Sequence, residues 1–208
     1  MRVEKFDYNS FDELLANTYV VFDEDKNAII IDPSKDYEGI VNYLKKNELN
    51  PIAIILTHGH FDHFGGVNVL LSNYPNLKVY IEEHDYELLG NPSKNCSYMC
   101  GFSSTIDVDA KLLKDGDILH LLKDEEIVVI NTPFHTMGST CYYLKNNNWL
   151  FSGDTLFCNG VGRYDLPTSC PKLIQQSLAK LKKLDPVVKV YPGHGPNSTI
   201  GNEFNGIY

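Results

Sequence analysis

Four potential metal ligands lie within six residues of one another, directly after an apolar run at residues 52–56. They are His58, His60, Asp62 and His63. Neutral imidazoles and carboxylates are the ligands that zinc and other borderline divalent ions prefer. Burying such a crowded polar set without a compensating cation would be costly in desolvation free energy. The spacing therefore predicts a divalent metal site at the end of this apolar run.

The local geometry of the cluster favours two ligand positions side by side. In an extended segment His58 and His60 point in the same direction, because alternate side chains of a strand share a face. Asp62 and His63 follow where the chain is expected to turn into a helix, and there they face a second position beside the first.

Three later residues follow strand-like segments and are candidates for the same site. They are His135 in Thr-Pro-Phe-His, Asp154 in Ser-Gly-Asp, and His194 in Pro-Gly-His-Gly. Functional side chains are frequently carried on loops at strand ends, where a rigid sheet positions them. The remaining histidines, His84 and His120, lack such surroundings. We expect them to be structural or surface residues.

The elements that must position these residues follow from hydrophobic periodicity. Apolar and β-branched runs predict strands at residues 19–22, 28–31, 52–56, 78–81, 118–122, 127–130, 141–144, 149–151 and 187–191. Helical spacing predicts helices at residues 36–46, after Asp62, near residues 83–89 and at 171–184, with a long loop at 91–104. Strands at both ends with helices between them predict two sheets covered by helices on their outer faces.

Length and composition limit the possible functions. The 208 residues fit one domain spanning residues 1–208, and the net charge of -9 argues against nucleic-acid and anionic-membrane partners. There is no apolar run of the ~20 residues needed to cross a membrane, and no signal-peptide pattern at the N-terminus. The odd number of cysteines, five, predicts reduced thiols in a cytoplasmic protein. Composition leaves the oligomeric state open.

The ligand pattern resembles the metallo-β-lactamase superfamily signature: His58-x-His60-x-Asp62-His63, then His135, Asp154 and His194 in that order. The resemblance implies an α+β fold, a four-layer αβ/βα sandwich of two mixed sheets flanked by helices. It also implies two divalent ions, zinc first and iron or manganese as substitutes. By analogy the first ion is bound by His58, His60 and His135, and the second by Asp62, His63 and His194. Asp154 would bridge them.

The implied chemistry is hydrolysis of an ester-like bond. Two ions carry more positive charge than the two carboxylates and a bridging hydroxide offset, and the excess lowers the pKa of bound water. Asp62 and Asp154 are therefore the predicted catalytic residues, with Asp62 orienting the hydroxide. We expect Asp32, which ends a predicted strand, to support a ligand rather than bind metal.

A second set of residues is similar to the glyoxalase II branch of thioesterases, which hydrolyse S-D-lactoylglutathione. Ser152-Gly-Asp-Thr-Leu-Phe157 is followed by Gly160-Val-Gly-Arg163-Tyr164-Asp165-Leu-Pro167. Arg163 and Tyr164 are the predicted substrate-binding residues, and an Arg163–Asp165 pair that holds the loop is the alternative. Longer members carry a C-terminal helical domain. Only about fourteen residues follow His194, so we expect a compact form and leave the thiol carrier open.

Two rival functions share the same residues. Persulfide dioxygenases hold a single iron with the equivalents of His58, His135 and Asp154, the two-histidine, one-carboxylate set of non-haem iron oxygenases. A scaffold that binds metal without turnover is the other alternative. A hydrolase acting on a small-molecule thioester is the favoured prediction, because the second ligand set is complete.

Overall fold

Two six-stranded sheets pack face to face in the computed structural model, which describes residues 1–7, 15–35 and 38–205. The first sheet contains, in spatial order, β1 (Arg2–Phe6), β2 (Thr18–Phe22), β3 (Asn27–Ile31), β4 (Asn50–Ile55), β5 (Lys78–Glu82) and β6 (Ala110–Leu113). Strands β1 to β3 are antiparallel, and β3 to β6 are parallel. Helical crossovers are the usual connections between parallel strands.

The second sheet runs in the reverse order of the chain. Its strands are β12 (Ser198–Thr199), β11 (Lys189–Pro192), β10 (Trp149–Gly153), β9 (Thr140–Leu144), β8 (Ile127–Asn131) and β7 (Ile118–Leu119). Only β10 and β11 are parallel; the other neighbours are antiparallel. Both sheets are therefore mixed.

Helices cover the outer face of each sheet. The α-helices are α1 (Glu38–Lys46), α2 (Phe61–Phe64), α3 (Val67–Asn73), α4 (Ile174–Leu181) and α5 (Ile200–Asn205). Short 3₁₀ helices span Glu83–Gly90, Tyr98–Cys100, Lys145–Asn147 and Pro171–Leu173. Helix α1 buries Ile40, Val41 and Leu44 on one face, and Lys45 and Lys46 lie favourably at its negative C-terminal end.

Alternation along the strands divides the core into three layers. Tyr19 and Val21 of β2 point between the two sheets, whereas Val20 points outward beneath α1 and α3. A third layer lies outside the second sheet, where Leu150 of β10 packs near Leu181 of α4. This succession of helices, sheet, sheet and helices confirms the predicted four-layer αβ/βα sandwich.

Several predicted boundaries were wrong for identifiable reasons. The strand predicted at 118–122 is reduced to β7, because the chain then turns so that the Lys123 amide donates to Asp23 Oδ2 at 2.9 Å. The segment predicted near 83–89 forms a 3₁₀ helix. The helix predicted at 171–184 begins with a 3₁₀ turn and continues as α4 only to Leu181.

Other differences concern short or polar elements. Strands β1, β6 and β12 and helix α5 were not predicted; β1 and β6 lie at a sheet edge and are largely exposed, so they lack the apolar runs of central strands. The predicted helix at 36–46 is found from Glu38, and its first two residues, Asp36 and Tyr37, lie outside the described residues. None of the helices seen in the described ranges has the length and apolarity needed to cross a membrane.

The two sheets are joined where β4 ends. The Thr140 amide of β9 donates to the Thr57 carbonyl at 2.9 Å, and the Tyr142 hydroxyl donates to the Leu56 carbonyl at 2.7 Å. Strand ends of both sheets thus meet at one edge of the sandwich, which is where the predicted ligands lie.

Candidate metal centre

All seven predicted ligands converge at this edge. His58 and His60 follow β4, and Asp62 and His63 occupy the first turn of α2. The remaining three lie in loops after β8, β10 and β11, and they are His135, Asp154 and His194. Residues far apart in the chain therefore form one cluster, in three sets whose ligand atoms lie within 4.8 Å of one another.

The first set consists of three imidazoles, His58, His60 and His135. His58 Nε2 lies 3.1 Å from His60 Nδ1, and His135 Nε2 lies 2.9 Å from the same atom. All three side chains are buried. Burial, reinforced by the neighbouring His135, lowers the pKa of His60 to about 3, and burial also places the pKa of His58 well below its usual range. These imidazoles are therefore neutral, as metal binding requires.

The second set consists of Asp62, His63 and His194. His194 Nε2 lies 3.2 Å from Asp62 Oδ2, and His63 Nε2 lies 3.6 Å from the same oxygen. This set is the more open of the two: the His194 side chain is 34% exposed, against 4% for His135 of the first set. Solvent and small molecules therefore reach the centre from the side of His194.

Asp154 lies between the two sets. Its Oδ1 is 3.4 Å from His63 Nε2, and its Oδ2 is 3.5 Å from His135 Nε2 and 3.6 Å from His194 Nε2. Burial alone would raise the pKa of Asp154, but the imidazoles of His194 and His63 outweigh it and hold that pKa well below its usual range. An ionised carboxylate thus faces both groups of ligands.

Two buried atoms show that this cluster fits a cation. Within the described residues, His63 Nε2 and Asp154 Oδ1 are buried and accept no hydrogen bond from any protein group. An unsatisfied buried polar atom costs about 1–3 kcal/mol. The backbone also leaves room for them, because a Cβ on Gly193 would collide with Asp154 Oδ1 and with the His63 ring. A divalent ion satisfies both atoms.

A ring of hydrogen bonds orients the imidazoles. Each of four histidines contacts a partner through the ring nitrogen that faces away from the cluster. The pairs are His58 Nδ1 with Thr57 Oγ1 (3.1 Å), His60 Nε2 with Thr168 Oγ1 (3.3 Å), His63 Nδ1 with Asp32 Oδ2 (2.8 Å) and His135 Nδ1 with the Arg163 carbonyl (2.7 Å). Such partners fix the tautomer, so the inward nitrogen keeps its lone pair for a metal.

Asp32 supports two of these histidines at once. Its Oδ2 contacts His63 directly and accepts a hydrogen bond from the Thr57 hydroxyl at 2.6 Å, while Thr57 Oγ1 in turn contacts His58. Asp32 has a left-handed backbone, φ 49°, a conformation that aspartate tolerates better than most residues. Its position matches the supporting role that the sequence suggested.

The predicted substrate residues lie on the exposed loop after β10. The Arg163 side chain is 64% exposed, and its Nε and a terminal nitrogen donate to the two carboxylate oxygens of Asp165 at 2.9 and 3.0 Å. Tyr164 is half exposed. The structure thus contains the alternative pair, while the backbone carbonyl of Arg163 contacts the ligand His135. A substrate contact by Arg163 or Tyr164 stays a prediction.

The other reactive side chains lie in other contacts. His84 pairs with the buried Glu82 at 2.9 Å, and His120 is exposed. The cysteines are all free, as predicted, and include the pair Cys96 and Cys100 in the loop after the 3₁₀ helix Glu83–Gly90. Sequence reasoning missed the contacts of Thr168 and Asp85 with the ligand loops. For Asp85 a signal existed, because its spacing from Leu88 and Leu89 places it on the buried face of a helix.

Comparison with known proteins agrees with this geometry. Residues 11–194 match the family model of the metallo-beta-lactamase superfamily. The chain therefore belongs to the metallo-beta-lactamase superfamily, whose fold binds divalent metals.

Among its curated relatives is a probable metallo-hydrolase of Streptococcus pyogenes serotype M6, 33% identical over 193 residues, which are 91% of this chain and 83% of the relative. The hydroxyacylglutathione hydrolase of Buchnera aphidicola subsp. Schizaphis graminum is 38% identical over 145 residues. That match covers 70% of this chain but only 49% of the relative. The first relative supports a metal-dependent hydrolase in general.

Two solved structures are similar along most of their length. The BLEG-1 B3 metallo-beta-lactamase superposes with a TM-score of 0.89 at 34% identity, over 98% of this chain and 97% of that one. TTHA1623 in a di-iron-bound form superposes with a TM-score of 0.81, also at 34% identity, over 90% and 91% of the two chains. A fold of this kind therefore holds two metal ions in at least one relative.

Replacing Asp154 with Ala is expected to reduce metal affinity at least about tenfold, because the only carboxylate facing both ligand sets is lost. Equilibrium dialysis against Zn²⁺ followed by elemental analysis measures the effect. His84→Ala and His120→Ala serve as matched controls and should bind metal as the parent protein does. Parent-like metal binding by Asp154→Ala would contradict the assignment of Asp154 to both sets.

Proposed function

We propose that this protein is a dinuclear metal-dependent hydrolase that acts as a thioesterase on a small acyl thioester. The observation that carries the proposal is the completeness of the second ligand set beside the first. Asp62, His63 and His194 converge next to the three imidazoles, and Asp154 faces both groups. A single-ion enzyme has no need of these three residues in that arrangement.

The residues present would hold two ions in the manner that their contacts suggest. His58, His60 and His135 would bind the first ion, Asp62, His63 and His194 the second, and Asp154 both. We propose zinc because neutral imidazoles dominate the donor set, with iron supported by the di-iron form of TTHA1623. When bound, such ions lower the pKa of a coordinated water and polarise the carbonyl under attack.

The chain itself contributes orientation and proton handling. Thr57, Asp32 and the Arg163 carbonyl keep the imidazoles in the tautomers that present a lone pair inward. Asp62 is 15% exposed at the open side of the centre, next to the partly exposed His194. Its carboxylate is placed to orient the attacking water and to accept a proton from it.

The thioester class is supported by the named relatives. Hydroxyacylglutathione hydrolases of Buchnera aphidicola and of Francisella tularensis subsp. novicida are 38% and 35% identical to this chain. The matches cover 49% and 61% of those proteins, so their substrate is a proposal for this chain. We further propose a single domain over residues 1–208, a cytoplasmic location, and no nucleic-acid or membrane partner.

Two other reactions can be tested in the same assay. The set His58, His135 and Asp154 suits a single iron, which is the persulfide dioxygenase alternative. β-Lactam hydrolysis enters because the BLEG-1 structure, described as a B3 metallo-beta-lactamase, is 34% identical to this chain. The second ligand set favours hydrolysis over oxygenation, and the contacts of the centre do not separate the two hydrolyses.

The zinc-loaded and iron-loaded proteins are each tested with three compounds: S-D-lactoylglutathione, glutathione persulfide under oxygen, and a chromogenic β-lactam. The proposal predicts release of free thiol from the thioester without oxygen uptake, and no turnover by Asp154→Ala. Oxygen consumption with sulfite formation would replace the proposal with the dioxygenase. Turnover of the β-lactam alone would replace the thioesterase with a β-lactamase.

The Arg163–Asp165 pair yields a separate prediction about substrate binding. If Arg163 binds an anionic part of the thioester, Arg163→Ala should raise KM several-fold and leave kcat nearly unchanged, because the contact is remote from the reacting bond. Asp165→Ala should not raise KM, since it frees the guanidinium to form a bidentate contact with the substrate.

The control is an uncharged thioester, on which Arg163→Ala should behave like the parent protein. A different pattern contradicts substrate binding by Arg163. If Asp165→Ala mimics Arg163→Ala on charged and uncharged thioesters alike, the pair braces the loop.

A further inference from the structure

The first ligand set is built from two separate segments of the chain. His58 and His60 flank Gly59 at the end of β4, whereas His135 precedes the turn Thr136–Gly138 that leads into β9. These segments belong to different sheets. A third group must fix the distance between them if the imidazoles are to share one ion.

Asp85 contacts both segments at once. Its Oδ2 accepts hydrogen bonds from the Gly59 amide at 2.9 Å and from the Thr136 hydroxyl at 2.6 Å, and its Oδ1 accepts one from the Gly138 amide at 2.8 Å. The residue is 1% exposed and lies in the 3₁₀ helix Glu83–Gly90. Its three partners are all donors, so a carboxylate satisfies them and a side chain carrying N–H groups does not.

The two glycines permit this close approach. A Cβ on Gly138 would lie 2.6 Å from both Cβ and Cγ of Asp85, and a Cβ on Gly59 would lie 2.8 Å from the Asp85 carbonyl oxygen. No side chain fits at either position without displacing the 3₁₀ helix. The backbone on both sides of the first ligand set is therefore packed directly against Asp85.

The second ligand set has a different support. The Asn17 amide group donates to the Pro192 carbonyl at 2.9 Å and to the Gly195 carbonyl at 3.0 Å, on either side of His194. The Asn17 backbone amide also donates to the Gly193 carbonyl at 2.6 Å. Asn17 is 3% exposed, and none of the hydrogen bonds described for Asp85 reaches the His194 loop.

We propose that Asp85 is a positioning residue for the first metal ion only, and that Asn17 has the corresponding role for the second. The two halves of the centre then have separate supports, and metal affinity at one site can change without the other. The inference rests on the dinuclear centre of the proposed function. It assigns to two residues outside the ligand set the affinity of each individual ion.

The test uses the isosteric change Asp85→Asn, which puts N–H groups against backbone donors, and Asn17→Ala for the other site. Binding of Zn²⁺ to the metal-free protein is followed by competition with a chromophoric chelator, which yields a dissociation constant for each ion. Asp85→Asn should weaken one of the two constants about 10- to 100-fold and leave the other unchanged. Asn17→Ala should weaken the other constant instead.

Visible spectra of Co²⁺-loaded protein identify which site is affected. With one equivalent of Co²⁺, Asp85→Asn should show the spectrum of His135→Ala, in which a first-site ligand is missing. Asn17→Ala should show the spectrum of His194→Ala. Thr136→Val and Thr136→Ser form a matched pair: the valine variant loses a hydrogen bond to Asp85 and should weaken the first site, whereas serine keeps the hydroxyl and should restore it.

The outcomes separate the inference from its premise. Failure of the parent protein to bind two Zn²⁺ would overturn the dinuclear centre itself. If the parent binds two ions, parent-like constants in Asp85→Asn would overturn the inference alone. An equal loss at both sites in Thr136→Val would also overturn it, because it would mean that Asp85 supports the fold as a whole.

Discussion

The structure depends on the attraction between a divalent cation and a group of buried polar atoms that have no other partner. His63 Nε2 and Asp154 Oδ1 are buried without a hydrogen bond, and Asp154 remains ionised in spite of its burial. Such an arrangement is unfavourable in an apolar interior. It becomes favourable when a metal ion accepts the lone pairs, and this explains why so many imidazoles are held close together with low pKa values.

The fold meets this requirement by bringing strand ends of two sheets to one edge. Parallel strands β10 and β11 deliver Asp154 and His194 from neighbouring positions, and β4 delivers His58 from the facing sheet. Close backbone approach at Gly193 keeps the space around Asp154 free of side chains. Hydrogen bonds from the ring of supporting residues then orient the imidazoles, so that the geometry exists before an ion arrives.

The sequence predicted the centre better than it predicted the elements around it. His58 to His63 are local in the chain, so their spacing alone indicated a metal site, and His135, Asp154 and His194 each follow an apolar strand. Asp85 was missed because its role depends on backbone amides of two segments from different sheets. Spacing within one element carries no information about such contacts.

The same limit explains the missed elements of the fold. Strands β1 and β6 are edge strands with mixed polarity, so their pairing is decided by neighbours distant in the chain rather than by an apolar pattern. Conversely, the apolar run at 118–122 continued beyond the two residues that pair with β8. The long-range contacts of Arg163 with Asp165 and His135 were likewise open until the loop was seen folded.

The account's central claim is that one chain holds two divalent ions side by side, and crystallographic anomalous scattering from metal-loaded protein tests it most directly. Data collected on either side of the metal absorption edge should show two peaks. One should lie among His58, His60 and His135 and the other among Asp62, His63 and His194, with Asp154 adjacent to both. A single peak among His58, His135 and Asp154, with Asp62, His63 and His194 unoccupied in protein saturated with metal, would contradict the account.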